Sequence, residues 1–249
     1  MDKTINDQIA LLRNALKKHS NKARAVNSKR YLKSPFKFFG VSLPITGEIA
    51  KEFRKSNKDA GKEHIIELAE RLWNSEYHDE KKLGLRVLQY YPECLDLSVM
   101  PLFETMLTQS TGWDLVDDIS IHLAGAVLGK DKRAFDYLKR WSRSDNFWMR
   151  RASLISQILL FRHGKGDKKL FFKFAEKMVF EKEFFIRKAI GWCLREISKS
   201  NPDEAFDFLM KIKGSASGLT LREGAKRLPE KMKILVSGRR DRESKKGKS

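Results

Sequence analysis

The segment Trp148-Met149-Arg150-Arg151-Ala152 returns, 37 residues on, as Phe185-Ile186-Arg187-Lys188-Ala189. Each copy follows a turn and an acidic residue and leads into an apolar stretch. Lys81-Lys82-Leu83-Gly84-Leu85 is a fainter third copy. The chain between these copies reads almost throughout at helical period, with little strand-like alternation. Ile5, Ile9, Leu12 and Leu16 fall at i, i+4, i+7 and i+11 of one amphipathic helix. The pattern predicts further helices over about 45–56, 61–75, 80–91, 96–109, 113–128, 131–142, 146–163, 168–180, 183–199, 203–212 and 219–228. The stretch from Ser34 to Pro44 is a loop punctuated by glycine and proline, and it is too aromatic to be a mere linker.

A period of this size, with two helices per unit, is the sequence signature of HEAT-like repeats. The expected fold is therefore all-α, a HEAT-like helical-repeat solenoid with a concave face lined by the second helix of each pair. The repeated basic pairs are expected to line one surface at regular intervals. A generic helical bundle with coincidental basic pairs is the competing architecture. Residues 1–230 read as a single such domain, and 231–249 as a basic tail without periodicity, expected to be disordered.

The chain has 249 residues and is 41% hydrophobic, which is enough to bury a large core. It carries 51 Lys and Arg against 32 Asp and Glu, a formal net charge of +19, so its expected partner is a polyanion, nucleic acid ahead of a membrane surface. Cys94 and Cys193 stand alone and read as reduced core residues. The charged N-terminus and the lack of any long apolar run predict no signal peptide and no membrane span, hence a cytoplasmic monomer at the bacterial nucleoid. The five histidines lack metal-ligand spacing, and no GxGxxG, GxxxxGK[ST] or GxSxG is present, so neither a metal nor another cofactor is expected.

Gly112-Trp113-Asp114-Leu115-Val116-Asp117-Asp118-Ile119 is the stretch with a candidate for chemistry. Ser110 and Thr111 are available as caps for a helix in which Trp113 and Asp117 share one face, one turn apart. An acid there is either an ordinary helix carboxylate or the one negative group that a basic groove needs. Trp148 and Trp192 each lie three residues before an arginine, Arg151 and Arg195. Tryptophans at such spacing are often core, and the arginines could equally pair with acids such as Glu196 or Asp145.

Taken together and in order, these segments resemble the AlkD-type alkylpurine DNA glycosylases. The resemblance rests on Gly112–Asp117, on Ser144–Ala152 and on Lys182–Glu196, with Arg30-Tyr31-Leu32-Lys33 and Leu219–Glu223 as flanking segments. It spans about residues 5–230. It implies a solenoid gripping double-stranded DNA in its concave face and excising cationic N3- and N7-alkylated purines without metal or cofactor. Carried over by position, Asp117 matches the catalytic aspartate, Trp113 and Trp192 the tryptophans at the lesion's deoxyribose, and Arg151 the arginine beside them. Tyr31 and Arg195 match DNA-contacting positions, and Arg150, Lys188 and Ser42 are further expected DNA contacts. Ser42 departs from the pattern, since the family often has a glutamine there, which bears on substrate range.

The chemistry is consistent with those residues. A cationic purine leaves as a neutral base, so no general acid is required. A carboxylate facing the sugar stabilises its developing positive charge and orients the attacking water. Indole faces add cation–π attraction, and an arginine holds the adjacent phosphate. Base flipping is then not obligatory. The competing class is a non-catalytic HEAT-like scaffold, which gains nothing from a carboxylate amid phosphates. A lyase with a lysine nucleophile has no positioned lysine to recommend it.

Overall fold

The computed structural model describes residues 4–238. Among them there is no strand, only an isolated parallel bridge between Lys37 and Tyr77. The fold is all-α, a helical repeat, and the chain divides between Ala134 and Phe135 into two compact units. No helix of the described residues is long and apolar enough to cross a membrane.

The first unit opens with α1 (Ile5–Lys18), started by a capping box in which the Thr4 hydroxyl accepts from Asp7 N and the Asp7 carboxylate accepts from Thr4 N. Then follow α2 (Lys22–Leu32), α3 (Leu43–Ser56), α4 (Lys62–Trp73), α5 (His78–Gln89), α6 (Met100–Gln109), α7 (Trp113–Asp117) and α8 (Gly125–Leu128). A π-helical turn, Asp118–Ala124, joins α7 to α8, so the predicted helix over 113–128 is continuous but locally wide. Ile65, Leu68, Ala69, Leu72 and Trp73 form the buried stripe of α4, which packs on Leu83, Leu85, Val87 and Leu88 of α5. Helix α2 has no buried residue at all, which is why periodicity did not reveal it.

What holds α2 in place is the aromatic loop after it. Asp79, buried at the start of α5, accepts from Phe39 N and Val41 N, both at 2.8 Å. Phe39 stacks on Tyr77 at 4.1 Å, and Lys37 exchanges backbone hydrogen bonds with Glu76 and His78. Gly40 sits at φ +78°, and a Cβ there would lie 2.3 Å from Asn21 O and 2.5 Å from Ala25 N. Only glycine lets the loop pass this close under the first turn of α2.

The second unit runs through α9 (Phe135–Trp141), α10 (Phe147–Ile155), α11 (Ile158–Arg162), α12 (Lys168–Met178), α13 (Phe184–Ile197), α14 (Pro202–Ile212), α15 (Gly218–Gly224) and α16 (Glu230–Ser237). Its core is centred on α13, which buries Ile186, Ala189, Ile190, Cys193, Leu194 and Ile197. At Gly191 a Cβ would come within 2.6 Å of Glu223 Cβ, so α13 and α15 touch almost backbone to backbone. The helical part of the chain extends past residue 230, because Lys231–Ser237 complete α16 and bury Val236. The rest of the expected tail, residues 239–249, lies outside the described residues.

The internal repeat is real, but its basic pairs are not a surface stripe. The first cation of each pair reaches back to a carbonyl before its own helix: Lys81 to Trp73 O, Arg150 to Ser144 O at 2.7 Å, Arg187 to Glu181 O at 2.8 Å. The second reaches forward: Lys82 to Asp114 O at 3.1 Å, Arg151 to Phe185 O at 2.7 Å, Lys188 to Glu223 Oε2 at 3.2 Å. Lys81, Lys82 and Arg151 are buried. A half-buried or buried cation whose donors meet carbonyl or carboxylate oxygens costs less to keep there than an unpaired one, so the pairs staple one repeat to the next.

Candidate functional site

Helix α7 is only five residues long, and its cap is Gly112, which has no side chain to offer. The expected cap Ser110 instead donates its hydroxyl to Met106 O at 2.8 Å, closing α6. Trp113, the first residue of α7, is half-buried and meets the Tyr31 ring edge-on, with centroids 6.2 Å apart at 90°. Tyr31, at the end of α2, is 73% exposed. Asp117 is half-buried one turn along from Trp113. The structure thus brings together Tyr31, Trp113 and the α7 face that carries Asp117. Ser42 caps α3 by backbone alone, its carbonyl accepting from Thr46 N and Oγ1.

Asp114 and Asp118 of the same stretch face a lysine and a histidine of α5. His78 Nε2 lies 2.9 Å from Asp114 Oδ2, and Lys82 Nζ lies 2.5 Å from Asp118 Oδ2 and 3.6 Å from Asp114 Oδ2. Burial pushes the Asp114 carboxyl up, but His78 and Lys82 beside it outweigh burial and hold it below the usual carboxylate range. The His78 ring stacks on Phe38 at 4.6 Å and 17°.

In the second unit, Asn146 Oδ1 caps α10 by accepting from Trp148 N at 2.9 Å, and Glu183 Oε1 caps α13 by accepting from Phe185 N at 3.2 Å. Trp148 packs between Phe147 and Phe185. The Arg151 guanidinium sits over the Phe185 ring at 5.7 Å while donating to Phe185 O. Lys188, Trp192 and Arg195 occupy one face of α13 at i, i+4 and i+7. Lys188, Arg195 and Lys226 all converge on the buried carboxylate of Glu223, and Trp192 is half-buried between the first two positions. Burial raises the Glu223 carboxyl, yet these three cations hold it below its ordinary range. Three cations against one carboxylate leave this face positive.

Arg150 is a correction to the sequence-based expectation of a DNA contact. Its Nε and Nη2 are paired to Glu181 at 2.9 and 2.8 Å, and its Nη1 donates to Ser144 O and Asp145 O. A guanidinium used on three sides holds the turn before α10 and has no fork left for a phosphate. Sequence reasoning also missed Glu223, His78, Asp79 and Lys82. The i, i+4 spacing of His78 with Lys82, matched by that of Asp114 with Asp118, was the available signal. Among the described residues no group of three or more His, Cys, Asp or Glu side chains is gathered to hold a metal ion.

The chain is thus a strongly basic, all-α helical-repeat protein whose short α7 carries an acid one turn from an indole. The comparisons give the family. The profile of the DNA alkylation repair enzymes matches residues 12–228, and the chain belongs to that family. A structure from Enterococcus faecalis described as a predicted DNA alkylation repair enzyme is 25% identical, covering 85% of this chain and 98% of its own, with a TM-score of 0.77. AlkD2 from Streptococcus mutans shares the fold at 15% identity and a TM-score of 0.63, over 90% of this chain and 99% of its own. The smu.31 protein of Streptococcus mutans UA159 does so at 17% identity and 0.57, over 86% of this chain and all of its own. A search among curated proteins returns no match.

Proposed function

We propose that this repair enzyme is a monofunctional DNA glycosylase that removes cationic N3- and N7-alkylated purines from duplex DNA. The observation that carries the reading is the place of Asp117 on α7, one turn from Trp113, which meets exposed Tyr31 edge-on. In the proposed reaction the glycosidic bond breaks with its electron pair passing to the purine, which leaves neutral. The deoxyribose keeps the positive charge, and water adds to it and loses a proton, leaving an abasic site. Asp117 stabilises that charge and orients the water. Trp113 contributes cation–π attraction of about 0.5–2 kcal/mol, and the family resemblance assigns Trp192 the same role. Arg151, which the family resemblance matches to the arginine beside the tryptophans, is assigned the phosphate beside the lesion. Tyr31, Arg195, Lys188 and Ser42 are assigned to DNA backbone contact.

The deciding experiment measures release of 7-methylguanine from alkylated duplex by the purified chain. Release without strand cleavage is expected. Tight duplex binding with no release would instead identify a non-catalytic DNA-binding repeat protein.

A further inference from the structure

Helix α7 is poorly specified by its own sequence. It has five residues, no side-chain cap, and a π-helical turn beginning at Asp118, immediately after the proposed catalytic carboxylate. Within that turn the hydroxyl of fully buried Ser120 has no hydrogen-bond partner among the described residues. The apolar side of the segment is anchored in the core by Leu115, Val116 and Ile119, and its polar side needs anchors of its own. Any rotation would swing Asp117 and Trp113 away from a fixed target.

On the polar side the setting is held by two ladders of matching period. His78 and Lys82 are one turn apart on α5, and Asp114 and Asp118 are one turn apart facing them. The contacts are 2.9 Å between His78 Nε2 and Asp114, 2.5 Å between Lys82 and Asp118, and 3.1 Å between Lys82 and Asp114 O. All four side chains are between 8% and 15% exposed, so water does not compete effectively for them. The α5 ladder is itself fixed, since Phe38 backs the His78 ring and Asp79, between the two rungs, pins the loop that carries Phe38. Trp113 and Asp117 each precede a rung by one residue, which on a helix is a turn of about 100°. Clamping the Asp114–Asp118 face therefore aims the Trp113–Asp117 face.

We infer that His78 and Lys82, through Asp114 and Asp118, are positioning residues that fix the rotational setting of α7 and so the aim of Asp117. The inference rests on the glycosylase reading and deepens it. Neither residue touches the DNA. A carboxylate displaced by about 1 Å from its reacting centre loses on the order of 100-fold in rate, while duplex affinity is set by cations elsewhere.

The test uses the whole chain and alkylated duplex under single-turnover conditions with enzyme in excess. Lys82→Met and Asp118→Asn should each slow 7-methylguanine release by roughly 10- to 100-fold. Binding to undamaged duplex should stay within about twofold of wild type, because no phosphate contact is removed. Lys82→Arg, which keeps the cation, should recover most of the rate. Cooperative thermal unfolding is followed for every variant, and if Lys82→Met does not fold, the near-isosteric Asp118→Asn decides. An unchanged rate in a folded variant, or a loss of rate matched by an equal loss of binding, overturns the inference. A wild-type chain that releases no base overturns the glycosylase reading itself, and the two failures are thereby told apart.

Discussion

A carboxylate among groups meant to attract phosphates weakens DNA binding, so its presence at 117 needs a chemical return. Asp114 and Asp118 form ion pairs to α5, and Asp117 lies on the Trp113 face. Asp117→Asn keeps the shape and removes the charge. Base release should fall by on the order of 100-fold or more, since the charge that stabilises the developing sugar cation is gone. Duplex affinity should hold or rise slightly, because a like charge no longer opposes the phosphates. Wild-type release by a folded Asp117→Asn protein would make Asp117 an ordinary helix acid. Arg151 was read from the sequence as a cation of the site, and the sequence did not show its other, structural duty: it is 3% exposed and bonded to Phe185 O as a staple between repeats. The second duty depends on a partner 34 residues away, which no local pattern encodes.

At the scale of elements, the loop between α2 and α3 decides where Tyr31 stands. Gly40→Ala puts a methyl group into Asn21 O and Ala25 N at a φ of +78°. It should cost about 1–3 kcal/mol in thermal or denaturant unfolding, and should loosen α2 and with it the Tyr31–Trp113 contact. A stability equal to wild type would mean that the loop shifts without consequence. The carboxylates of Asp114, Glu196 and Glu223 are all held below their ordinary range, despite burial, by neighbouring cations. A carboxyl depressed in the folded state stabilises it above the unfolded-state value, and loses that contribution as pH falls through the folded one. Thermal stability should therefore be level near neutrality and decline below about pH 4.5, where the unfolded chain begins to take up protons. A decline starting near pH 6 would point to histidine instead. Most helices were legible because each buries a stripe at i, i+3 and i+4; α4, with Ile65, Leu68 and Leu72, is the clearest case. Helix α2 was not, because it buries nothing and is held by a loop and a glycine. The Lys81–Lys82 pair was seen as a repeat but placed on the surface, because composition counts charges without showing which of them find buried carbonyls.

For the whole molecule, the net charge of +19 and the nature of the site make separable claims about affinity and about substrate. Affinity for undamaged duplex should fall steeply with salt, with a slope of log K against log[salt] of about −0.9 for each phosphate neutralised. That term is blind to the lesion, so discrimination has to come from the chemistry. If Asp117, Trp113 and Trp192 act on the sugar and no side chain protonates the departing base, the lesion must supply its own positive charge. Release should then be efficient for 3-methyladenine and 7-methylguanine, and poor for uracil, hypoxanthine and 1,N6-ethenoadenine, which are neutral and need protonation to leave. The rate should also stay nearly flat from neutral to mildly alkaline pH, because no essential acid is there to be lost. A panel of oligonucleotides carrying each lesion, assayed for base release at several pH values, reads both effects at once. Robust excision of a neutral base, or an alkaline limb in the profile, would reveal a proton donor in the site and would move recognition from the charge of the lesion to the protein itself.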